Sequence, residues 1–86
     1  MTVYDFIEYD CYQETVKRTL FRKPEDAISC MRKRKEEIMS RPWDEEMKIL
    51  LERTEDEGLI LIGWDDNSDE GWDIFKKLYI KEEIVY

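Results

Sequence analysis

The sequence predicts an α+β domain: one antiparallel four-stranded sheet, built from two hairpins, with two helices packed on one face, in the order ββααββ. Three observations carry this reading. Residues 2–21 place two β-prone runs around a short polar segment. Residues 24–53 carry apolar side chains at helical spacing in two stretches separated by Pro42. Residues 59–80 return to β-branched and aromatic types on either side of an acidic loop.

Residues 2–9 (TVYDFIEY) are dense in side chains that suit a pleated, half-covered surface, and read as the first strand. Residues 15–21 (TVKRTLF) set Val16 and Leu20 against polar neighbours and read as the second. The polar segment Asp10–Glu14 is then a hairpin loop.

Pro24 opens the first helix. Proline is tolerated in a first helical turn, and Glu25 and Asp26 complement the positive end of the helix dipole. Ala27, Ile28, Met31, Ile38 and Met39 follow the helical period. Arg34 and Lys35 interrupt the stripe, and their aliphatic stems can cover the gap. Pro42 ends this helix, because the residue before a proline is pushed out of the α region. A second helix is expected from about Ser40–Trp43, with Ser40 as cap and Asp44, Glu45 and Glu46 in its first turn. Trp43, Met47, Leu50 and Leu51 fall on one face of it.

Gly58 marks the exit from a polar stretch. Leu59–Trp64 is apolar throughout and reads as a central strand. Residues 72–80 (WDIFKKLYI) fit either period. A strand is preferred because it gives 59–64 a hairpin partner, and Ile84, Val85 and Tyr86 either prolong it or fray.

Eighty-six residues make one domain, 1–86. A chain of this length buries only about 60 % of its unfolded surface, so a few large side chains must carry the core. Three Trp, five Tyr, three Phe and four Met supply them. The longest apolar run, residues 59–62, is far too short to span a bilayer, and the start of the chain lacks the pattern of a secretory signal. Cys11 and Cys30 form neither a CxxC pair nor a disulfide framework, which points to a reducing, cytoplasmic setting.

The net charge is −8 and unevenly distributed. Residues 1–43 carry nine Lys/Arg against eight Asp/Glu, whereas residues 44–86 carry five against fourteen. Binding to a phosphate backbone needs a clustered positive field, so direct nucleic-acid binding is disfavoured, as is an anionic membrane. A basic protein surface is the favoured partner.

The stretch GWDDNSDEGWD, residues 63–73, concentrates this acid. A calcium loop starting at Asp65 would have Glu70 at its glycine position and Lys76 at its bidentate glutamate position. Starting at Asp66 places Gly71 correctly but puts Lys77 at the glutamate position. A turn composition explains the segment better, with Trp64 and Trp72 expected near each other across the hairpin mouth. No metal site and no cofactor are expected.

The run MRKRKEE, residues 31–37, points its cations in several directions around a helix, because successive residues turn by about 100°. It reads as a solvated collar, with Glu36 and Glu37 able to pair one turn away, and not as a nucleic-acid patch. Tyr9 and Tyr12 are the conceivable stacking groups were RNA or DNA bound. Residues 44–57 place acid on the outer face of the second helix, a solubilising surface that could join the 65–73 acid.

Histidine is absent, no glycine-rich phosphate loop occurs, and Ser40 and Ser68 have no base in sequence context. The expectation is therefore a non-enzymatic acidic protein-binding module, an inhibitor or regulator that occupies a basic, nucleic-acid-binding surface. Its general character is that of small phage anti-defence proteins, an analogy of style without sequence resemblance. The expected contact residues are Trp64, Asp65, Asp66, Asp69, Glu70, Trp72 and Asp73, with Glu45 and Glu46 behind them. The alternative is a self-associating structural homodimer with no ligand.

Overall fold

The computed structural model describes residues 1–40, 47–53, 58–65 and 71–85. Strand β1 (Thr2–Asp10) runs into β2 (Thr15–Phe21), helix α1 (Pro24–Met39) follows, and three strands complete the chain: β3 (Lys48–Arg53), β4 (Leu59–Asp65) and β5 (Trp72–Ile84). All strands form one antiparallel sheet in the order β2-β1-β5-β4-β3.

Alternation along β1 assigns the two faces of the sheet. Tyr4, Phe6, Glu8 and Asp10 share one side and Val3, Asp5, Ile7 and Tyr9 the other. Helix α1 covers the first side, since its Arg34 bonds to Glu8. Ala27, Met31 and Ile38 are its buried residues, and Met31 and Ile38 pack with Phe6, Ile60, Ile62 and Leu78 of the sheet. Each such fully buried side chain stabilises the fold by about 1.5–3 kcal/mol. Arg34 and Lys35, which interrupt that stripe, are only partly exposed and end in ion pairs with Glu8 and Glu52. The helix starts at Pro24, with Glu25 and Asp26 in its first turn. It ends as the Ser40 amide donates to the Glu36 carbonyl (2.9 Å) and the Ser40 hydroxyl to the Glu37 carbonyl (2.9 Å).

Two corrections follow. Among the described residues the sheet has five strands, not four, and one helix packs on it, not two. The expected second helix over residues 44–57 is overturned by β3: Lys48–Arg53 pairs with β4, Ile49 opposite Ile62 and Leu51 opposite Leu61, with a bulge at Leu50. The physical reason lies in the run Ile49-Leu50-Leu51. Three consecutive apolar residues satisfy a helical and an extended period alike, so tertiary pairing decides. Without β3, the apolar strand β4 would expose an open hydrogen-bonding edge. The proposed helix start at Ser40–Trp43 and the acid at 44–46 lie outside the described residues, apart from Ser40, which caps α1.

The β4–β5 hairpin carries a second bulge, between Ile62 and Gly63. Only glycine fits there. A Cβ on Gly63 would lie 2.0 Å from the backbone oxygen of Asp73. Beyond the bulge, Phe75 joins the buried core beside Ile38 and Met47.

Candidate protein-binding surface

The acidic 63–73 stretch begins and ends in the β4–β5 ladder. Trp64 stands opposite Asp73, and Asp65 opposite Trp72. The two tryptophans are therefore not cross-strand partners, which corrects the expected Trp64–Trp72 pair. A period of two makes a one-residue offset decisive.

Trp64 instead meets Tyr12. Their rings stack 5.9 Å apart with planes 7° from parallel, and Phe75 tilts against both, at 5.5 Å from Tyr12 and 5.7 Å from Trp64. Tyr12 reaches this position because Asp10 builds the turn that carries it. The Asp10 carboxylate accepts from the backbone amides of Tyr12 (2.9 Å) and Gln13 (3.0 Å), a local side-chain turn favoured by aspartate. Glu14 closes the turn with a left-handed backbone (φ 55°), and the Cys11 amide donates to the Phe75 carbonyl (2.9 Å). The Tyr12 hydroxyl then donates to the exposed Asp73 carboxylate at 2.6 Å. Trp64 Nε1 is buried with no acceptor among the described residues.

Behind this cluster lies a row of buried charge. Glu8 accepts from Arg34 Nε (2.5 Å), Arg34 Nη2 (3.2 Å) and Lys76 Nζ (2.9 Å). Lys76 also stands 3.5 Å from Asp10 and 5.4 Å over the Phe75 ring. Burial pushes the Glu8 carboxyl up, but hydrogen bonds from Arg34 and Lys76 outweigh it and hold the group below its ordinary range. Burial acts on Asp10 in the same direction and is outweighed by the Gln13 and Tyr12 amides and by Lys76, again with a net lowering. Both carboxylates are thus kept ionised.

Of the residues expected in the contact surface, Trp64 and Asp73 come together around Tyr12. Asp65 and Trp72 lie at the facing ends of β4 and β5. Asp66, Asp69, Glu70, Glu45 and Glu46 lie outside the described residues. The acid expected on a second helix is redistributed, since Glu52 lies on β3 and pairs with Lys35 at 2.9 Å. Two site residues, Tyr12 and Phe75, lie outside the expected contact list, Tyr12 being read from the sequence only as a conceivable nucleic-acid stacking group. The available signal was Asp10, whose turn-forming carboxylate directs the next residues back over the sheet. Among the described residues there is no cluster of three or more metal-ligating side chains, and no helix long and apolar enough to cross a membrane. Comparison with protein-family models, curated proteins and solved structures finds no match to this chain.

Proposed function

We propose that this chain is a non-enzymatic, acidic protein-binding module that occupies a basic, nucleic-acid-binding surface of a partner protein, as an inhibitor or regulator. The observation that carries the reading is the joining of Tyr12, Trp64 and Phe75 to the exposed Asp73 carboxylate, at the point where the acidic 65–73 stretch leaves the sheet. Aromatic side chains beside charge are the usual anchors of protein interfaces. The carboxylates there would meet Arg and Lys of the partner much as phosphates do. The non-enzymatic part of the reading is supported by the state of the buried acids. Glu8 and Asp10 are held ionised by fixed cations and amides, which suits structural charge pairs and not proton donation. A reducing, cytoplasmic setting, with both cysteines free, belongs to the same proposal.

The test compares capture of basic proteins from a lysate at low and high salt by the wild-type chain and by Asp73→Lys. Retention of a nucleic-acid-binding protein is expected at low salt, weakened by salt and by the substitution. Recovery of no basic protein at any ionic strength sinks the reading. Since Asp73 is exposed, the variant should fold normally, which far-UV circular dichroism checks.

A further inference from the structure

The positive charge of this acidic chain is concentrated in one place. Residues 15–35 hold eight Lys/Arg and two acidic residues, and they form β2 and most of α1. Within this segment Arg18, Arg34 and Lys35 are engaged by carboxylates. Lys17, Arg22, Lys23, Arg32 and Lys33 have no ion pair among the described residues.

The same segment includes an open sheet edge. β2 is outermost in the sheet, and its seven residues pair with β1 in unbroken register. The opposite edge, β3, is interrupted by its bulge and tied to α1 through Glu52–Lys35. Bulges and short length blunt an edge, and β2 has neither a bulge nor a proline.

The two sides of β2 differ. Val16 and Leu20 lie on the helix-free side, 53 % and 63 % exposed. Lys17 and Thr19 lie on the helix side, where with Phe6, Glu8, Cys30, Lys33, Arg34 and Glu37 they line a cleft of about 320 Å³ between β2 and α1. Arg34 engages both carboxylates of this cleft, which leaves Lys17 and Lys33 as its charges without an ion pair among the described residues. A strand added to this edge would set alternate side chains beside Val16 and Leu20, and the others beside Lys17 and Lys33.

We infer that the outer edge of β2 is a docking site for an extended partner segment in which apolar and acidic residues alternate, added to the sheet as a sixth strand. Main-chain hydrogen bonds supply the attachment and the alternating side chains the selection. A second copy of the chain is a poor occupant, because self-pairing brings two sets of Lys17, Arg18, Arg22 and Lys23 together. This edge adjoins the Tyr12 cluster, since Lys17 lines a cavity with Asp10 and Phe75, but it selects the opposite charge, so Asp73→Lys and Lys17→Glu/Lys33→Glu test the two readings separately.

The probe is a capped synthetic peptide of alternating Glu and Val, titrated into the ¹⁵N-labelled full chain. Saturable shifts centred on the amides of Val16–Phe21, with slowed hydrogen exchange there, are expected. A Lys17→Glu/Lys33→Glu variant, altered only at exposed positions, should fold normally and lose about tenfold or more in affinity. A peptide of alternating Lys and Val should not bind. Equal binding of that basic peptide, shifts scattered away from β2, or no binding at all would overturn the inference. Tighter binding of single-stranded DNA at the same amides would overturn it too, marking the surface as one for nucleic acid.

Discussion

Strand β1 buries carboxylates toward both faces of the sheet, and the two sets are held differently. On the helix side, Glu8 is 5 % exposed and is gripped by Arg34 and Lys76, whose side chains are themselves only 22 % and 13 % exposed. On the open side, Asp5 is 0 % exposed and takes both of its donors from Arg18, with Nε at 2.7 Å. Arg18 is 56 % exposed and is shared with Glu83. One oxygen of Asp5, Oδ1, is buried without a donor among the described residues. The difference lies in where each partner can go when the acid is removed. Each cation keeps a second carboxylate, Glu37 for Arg34 (3.2 Å), Asp10 for Lys76 (3.5 Å) and Glu83 for Arg18 (3.1 Å), but Arg34 and Lys76 stay largely shielded from water whereas Arg18 can turn into it. Burial of the acid alone does not set the worth of the pair; the access of its cation to solvent does.

The largest expected effect tests the closed side. Glu8→Ala removes the acid shared by two poorly hydrated cations, leaving Arg34 only Glu37 and Lys76 only Asp10, and should lower unfolding free energy by about 3 kcal/mol, measured by urea denaturation. Glu8→Ala costing no more than an exposed substitution would break the comparison.

Acid should act through the same side. Glu8 and Asp10 have lowered pKa values in the folded chain, so the unfolded chain binds more protons as pH drops. Their contribution is fully present above the ordinary carboxylate range and is lost as pH falls through the lowered, folded-state values. Urea midpoints followed from neutral pH downward should decline through that window. The decline should be shallower in Glu8→Gln, and an equally steep profile in that variant would remove Glu8 from the account.

Smaller effects belong to the open side. Asp5→Asn keeps the shape, releases Arg18 to solvent and Glu83, and should cost about 1 kcal/mol. A loss as large as that of Glu8→Ala would break the comparison. Smallest of all, Val16→Thr should stay within about 0.5 kcal/mol, since it touches only an exposed position on β2.

Local chemistry made much of this fold legible. β2 and the start of α1 follow from TVKRTLF and from Pro24-Glu25-Asp26, whose signals act within a few residues. β1 is legible from its β-branched and aromatic content and β4 from its continuous apolar run, whereas residues 72–80 fit either period and read as a strand only as the hairpin partner of 59–64; β5 runs on to Ile84. β3 was misread because KILLER satisfies a helical stripe as readily as an extended edge. In the candidate site, Trp64 and Asp73 were legible from the acidic, aromatic stretch. Tyr12 was not, because its bond to Asp73 joins residues 61 apart.

The sequence by itself determined which segments favour extended or helical backbone and how charge is apportioned along the chain, because these depend on neighbouring residues and simple counting. Tertiary structure decided the rest. It made residues 48–53 a strand by giving them β4 to pair with, placed Trp64 opposite Asp73 in the ladder and stacked it on Tyr12, and matched Glu8 with Arg34 and Lys76 across 26 and 68 positions. Such choices rest on contacts between distant residues, whose energies exist only once the sheet has formed.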